Sequence, residues 1–201
     1  MSMIGKLRQV SEFELAKYKA SPSEMVRALA GARHAGDPRA ATRVAGADAQ
    51  LLQQAREMQK AALSKAVPSA QPAAEYGLQE IDLHKSWHCL HFLLTGGADG
   101  PDGTPLGDAI LGGVEIGGEA ADTGYGPPRA LSPGRVKSVA EALNAFPIDQ
   151  KAQQFDSHAA DKAGIYVAQH GAEELKEYFL QLRNFYEDAA RRGNAVLLWI
   201  A

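Results

Sequence analysis

The chain has 201 residues, 45% of them hydrophobic and 22% charged. That is enough to bury the core of one ordinary domain and too apolar for a wholly disordered chain. With 21 Lys and Arg against 24 Asp and Glu, the net charge is −3. No concentrated positive field exists to release counterions from a phosphate backbone, so nucleic acid is not an expected partner. Cys89 is the single cysteine and has no internal disulfide partner. The first residues lack the apolar run of a secretory signal, and the longest apolar stretch, 195–201, is far short of the ~20 residues of a membrane span. The expectation is a cytoplasmic protein that does not enter a membrane.

In chain order, weak alternation over 3–10 (Ile4, Leu7, Val10) predicts a strand. Ser11 with Glu14 three residues on has capping-box spacing and opens a helix. Ser21, Pro22 and Glu24 repeat the pattern for a second helix carrying Met25, Val26 and Leu29. Residues 36–75 are rich in Ala and Gln, with Leu51, Leu52, Ala55, Met58 and Ala62 at helical spacing. They are expected to form a helical insert. Next, Asp82 as N-cap and Gly96 as terminator delimit one predicted helix over 82–95. Leu106 to Leu111 forms a short amphipathic piece, and glycine pairs at 112–113 and 117–118 bracket a short strand at Val114–Ile116. Arg129–Leu131 reads as extended. Ser132 and Pro133 then start a helix whose buried stripe is Val136, Val139, Ala140 and Leu143.

A polar helix near 148–157 precedes a long helix over 172–192, with Leu175, Tyr178, Phe179, Leu182, Phe185, Tyr186 and Ala189 at helical spacing. Gly193 and Asn194 stop it. The apolar run 195–201 after it predicts a strand covered on both faces and central in its sheet. Together these elements predict a helix-rich, three-layer α/β/α arrangement around a small mixed sheet.

Several blocks in this order resemble the YfbM-like (DUF1877) family of bacterial proteins. They are Met3 to Gly5, the pattern KxWxxLHFxLTG over 85–96, LGDAILGG over 106–113, and GYGPPR over 124–129, followed by the capped helix and the closing helix and strand. The resemblance covers residues 1–30 and 78–201. It implies a single domain over 1–201 with the 36–75 segment as an insert, a three-layer α/β/α fold, and no established catalytic mechanism.

His84, His88 and His91 are the sharpest constellation. On one helix, offsets of four and seven would set them within about 60° of each other. His84 and His88 are the weak metal candidates, with His158, Asp122 or Asp156 needed to complete a set. The histidine stripe nevertheless falls among Leu83, Trp87, Leu90 and Leu94, where neutral, hydrogen-bonded core histidines fit equally well. No metal and no cofactor are expected. Cys89 projects away from His91, so a cysteine–histidine dyad is not expected. The glycine pairs match no phosphate-binding fingerprint. A ligand site, if present, would join Trp87, His88 and His91 to Tyr125 and Arg129, which sit on a Gly/Pro-stiffened loop.

With no complete catalytic constellation, the expected role is that of a non-catalytic protein-interaction module, of which a toxin-neutralising immunity protein is one version. Surplus aromatics on the last long helix (Tyr178, Phe179, Phe185, Tyr186) are the hint of a protein partner. The alternative is an enzyme or small-ligand binder with a pocket near Trp87, His91 and Tyr125.

Overall fold

The computed structural model describes residues 3–32, 80–98 and 100–201. The expected insert at 36–75 lies outside them. The chain divides into two compact units, Met1–Arg27 joined with Tyr76–Ala201, and Ala28–Glu75. The first unit holds all five strands of the described residues.

β1 (Gly5–Val10) leads through Ser11 into α1 (Glu12–Ala20), and α2 begins at Pro22 within Pro22–Ala32. The capping box forms: Ser11 Oγ accepts from the Glu14 amide at 3.2 Å, and the Glu14 carboxylate accepts from the Ser11 amide at 2.8 Å. The second box does not form as expected. The Ser21 amide is already spent on Lys17 O at 2.9 Å as the C-cap of α1, and the Glu24 carboxylate turns to Lys17 Nζ at 2.7 Å. Adjacent helices here share one residue as stop and start.

Beyond residue 80 come β2 (Glu80–Asp82), a 3₁₀ turn (His84–Ser86), α3 (Trp87–Thr95), α4 (Pro105–Leu111) and β3 (Val114–Glu115). After a second 3₁₀ turn (Gly118–Ala121) come β4 (Arg129–Leu131), α5 (Pro133–Ala145), α6 (Ile148–Gln153), α7 (Ser157–Lys162), α8 (Ala172–Arg192) and β5 (Ala195–Ile200). The predicted single helix over 82–95 is therefore three elements. Asp82 ends a strand, where its backbone pairs with Lys6, and His84 takes a positive φ of 48° that an α-helix cannot contain.

The strands form one sheet in the order β2-β1-β5-β4-β3, and β5 is central as its apolar run predicts. Every pairing is antiparallel, so the sheet is not mixed. Here β3 and β4 are joined by the loop 116–128, and β4 and β5 by four successive helices.

Register sorts the side chains into two layers. Leu7 faces Leu198 and Leu131 faces Val196, so these four share one side of the sheet and enter the main core with α3, α4, α5 and α8. The other side carries Val10, Ala130, Ala195 and Leu197, all buried, while Leu15 of α1 and Met25 of α2 are buried apart from the main cluster. The result is an α/β fold with helices on both sides of the sheet.

Ser132 caps α5, and its stripe Val136, Val139, Ala140 and Leu143 is buried as predicted. On α8, Phe179, Phe185 and Tyr186 are fully buried. Three of the four aromatics named for a partner are thus absorbed internally, because α8 packs against several helices at once, while Tyr178 is half-buried with its ring against His84. Tyr186 donates its hydroxyl to Ala109 O at 2.9 Å, which ties α8 to α4, and burial pushes its pKa well above the ordinary tyrosine value.

A buried polar knot joins the end of α8 to β1. Gln9 Nε2 donates to Asp188 Oδ2 at 3.1 Å, Asn194 Nδ2 donates to Gln9 Oε1 at 3.0 Å, and Arg192 Nε reaches Asp188 Oδ2 at 2.8 Å. Burial pushes the Asp188 pKa up, but the hydrogen bonds from Arg191, Arg192 and Gln9 outweigh it and hold the carboxyl below its ordinary value. A folded-state pKa below the unfolded one contributes stability at neutral pH that is lost as pH falls through the ordinary aspartate range toward the folded value. Chemical denaturation from neutral pH down to about pH 3 should therefore show a shallower loss of stability for Asp188→Asn than for the wild type. An equally steep acid limb in both proteins would remove the knot from this role.

Candidate functional site

The backbone around α3 sets the fate of the predicted histidine site. Asp82 Oδ1 accepts the His84 amide at 2.7 Å, which starts the 3₁₀ turn and leaves the His84 ring exposed, edge-on to Tyr178 at 6.2 Å. His84 is therefore not on the helix of His88 and His91, and the i, i+4 chelating pair is not built. Trp87 opens α3 directly over β1. A Cβ on Gly5 would lie 2.4 Å from the Trp87 Cβ, so only glycine permits this strand–helix approach.

The Trp87 ring stacks on His88 at 4.6 Å with an interplanar angle of 6°. Both nitrogens of His88 serve backbone groups. Nδ1 accepts the Tyr166 amide at 2.9 Å, which requires the tautomer protonated at Nε2, and Nε2 then donates to Ala98 O at 2.9 Å. His88 thus stitches two loops to α3. A buried backbone group left without such a partner costs about 1–3 kcal/mol.

Cys89 is fully buried and donates its thiol to Val167 O at 3.1 Å. Burial first, and the charge of Glu174 second, push its pKa up to about 11. Buried and hydrogen-bonded to a carbonyl, the sulfur packs as a neutral thiol. His91 is fully buried on the same helix. Asp156 caps α7 by accepting the amides of His158 and Ala159 at 2.9 and 3.2 Å. Among the described residues no three His, Cys, Asp or Glu side chains gather as metal ligands.

Tyr125 and Arg129 do come together. They line a cleft of about 240 Å³ at the β3–β4 end of the sheet, with Ile110 and Leu111 of α4 and Leu198 and Ile200 of β5 as apolar walls. Trp87, His88 and His91 do not line it. This cleft therefore does not join α3 to the Tyr125 loop, because α3 turns those side chains into core and loop contacts.

Local chemistry shapes the rim. Asp122 Oδ1 accepts the amides of Gly124 and Gly126 at 2.6 and 3.0 Å, folding the loop into a tight turn that presents Tyr125, 40% exposed. Gly126 takes a φ of 99°, a conformation that favours glycine. Arg129 reaches across to β3: its Nε and Nη2 donate to Gly113 O at 3.3 and 3.2 Å, and Nη1 donates to Glu115 Oε1 at 3.0 Å. The sequence pattern groups Tyr125 with Arg129, which share this cleft, but does not point to Glu115 or to the walls from α4 and β5. Nothing short of the strand register brings those residues to one place.

The fold and cleft define an antiparallel α/β domain with a small, mainly apolar recess at one sheet end. The chain belongs to the family described as a domain of unknown function, DUF1877, whose model matches residues 1–199. Among solved structures it is similar to YfbM from Escherichia coli, itself described as a protein of unknown function. The two are 18% identical, with a TM-score of 0.53 over 98% of this chain and 99% of that one. At that identity the likeness shows the fold alone. No curated protein matches the chain.

The Cys89 reading is open to direct measurement. A thiol reagent at neutral pH should label the native protein slowly and the denatured protein promptly, with one equivalent in denaturant. Prompt labelling of the native state would show an accessible thiolate and overturn the packing role.

Proposed function

We propose that this protein is a non-catalytic binding module of the cytoplasm, which docks a protein partner by seating one apolar side chain in the Tyr125–Arg129 cleft. The observation that carries the reading is the recess itself: an apolar floor, an exposed tyrosine at the rim and a stiffened loop. Its volume of about 240 Å³ is below the roughly 300–1,000 Å³ typical of drug-sized ligand sites, which suits one anchoring residue. Aromatic rims around such recesses are the usual energetic centres of protein interfaces. His88 and Cys89, the side chains best suited to chemistry, are meanwhile committed to backbone groups at 2.9–3.1 Å. A toxin neutralised by this chain is one partner of the kind proposed. Among the described residues no helix is long and apolar enough to cross a membrane.

The reading predicts that tagged wild-type protein retains a stoichiometric protein partner from native lysate. Tyr125→Ala should weaken that complex about tenfold or more, the effect of losing an interface anchor. The melting temperature should barely move, since an exposed substitution changes stability by only about 0.5 kcal/mol. Equal retention by wild type and variant would place the interface elsewhere, and repeated absence of any partner would count against the module itself.

A further inference from the structure

We propose that the same cleft binds a free apolar α-amino acid as a zwitterion, with its carboxylate on Arg129 and its ammonium on Glu115. The inference rests on reading the cleft as a recognition site and adds the chemical class of a small ligand that would compete there.

The rim charges choose between ligand types. Arg129 and Glu115 sit side by side at 3.0 Å, with side chains 32% and 53% exposed. Within the described residues the contacts of Arg129 engage three of its five N–H donors, so two remain to serve ligand oxygens. A lone anion approaching those donors meets the Glu115 carboxylate beside them, and a lone cation approaching Glu115 meets the guanidinium. A ligand carrying both charges on neighbouring atoms lies antiparallel to the pair, and each charge then gains an opposite neighbour. An α-amino acid has that spacing.

The rest of the recess sets the side chain. Ile110, Leu111, Leu198 and Ile200 offer no polar side-chain atom, so the walls they form favour an apolar substituent, and about 240 Å³ suits a leucine- or phenylalanine-sized residue. The Asp122 turn holds the Tyr125 loop in place before any ligand arrives, which lowers the ordering cost of binding.

The test is an NMR titration of the ¹⁵N-labelled full chain with leucine, phenylalanine, N-acetyl-leucine and leucinamide. Leucine or phenylalanine should give saturable shifts at Glu115, Tyr125 and Gly126. N-acetyl-leucine and leucinamide, each lacking one charge, should bind about tenfold more weakly. In Glu115→Gln, whose fold is checked by thermal melting, leucine should lose its advantage over N-acetyl-leucine. The proposal is overturned if neither amino acid shifts the cleft residues at millimolar concentration, or if N-acetyl-leucine binds the wild type as tightly as leucine. If the amino acids fail while partner capture still depends on Tyr125, the docking reading stands alone; if both fail, the cleft is not a recognition site.

Discussion

The structure depends on sheltering both faces of β5. This strand is paired with β1 over six residues and with β4 over three, and from Ala195 to Trp199 it is buried without interruption. Antiparallel pairing on both edges satisfies its backbone, and burial on both faces is what a run of Ala, Val, Leu and Trp demands. The shape of the cleft is set by the register of this strand. Arg129 lies opposite Leu198, which puts the guanidinium on the same side of the sheet as the apolar cleft wall. Because side chains alternate along a strand, a slip of one residue would send Arg129 to the opposite face and Ala130 into its place.

A second constraint operates where α3 meets β1. Gly5 admits the Trp87 side chain, and the Leu83 amide donates to Gly5 O at 2.8 Å, so strand and helix are locked at one point. From this fixed start, His88 and Cys89 reach outward to the loops at 98 and 166–167. Backbone polar groups in these part-buried loops need partners, and imidazole and thiol provide them where helix or sheet cannot. Histidine is suited to this task because one neutral ring offers a donor and an acceptor on opposite edges. The side chains most suggestive of chemistry are, in this fold, connectors.

The cleft differs in kind. It lies at the short end of the sheet, where the two-residue strand β3 leaves space between α4 and the Tyr125 loop. Its parts come from α4, β3, β4, β5 and the 122–127 turn, and each is held by a contact serving another purpose. Arg129 secures Gly113 and Glu115, and Asp122 secures its own turn. The recess is therefore pre-shaped by structural bonds, and its rim retains polarity because one ion pair stays at the surface.

Local signals determined a large part of this molecule. The Ser11 capping box, the Ser132–Pro133 helix start, the Gly96 and Gly193 left-handed stops and the continuous apolarity of β5 each act within a few residues, and each could be read directly. Sheet direction, the break at His84 and the company kept by Arg129 could not. Whether neighbouring strands run parallel depends on how four intervening helices pack. His84 leaves the helix because Asp82 is drawn into pairing with Lys6 across 76 residues of sequence, a competition that helical spacing does not register. The cleft likewise exists only once strand register has brought positions near 110, 125 and 200 together, since pairing at such separations is decided by burial of whole faces and not by any local preference.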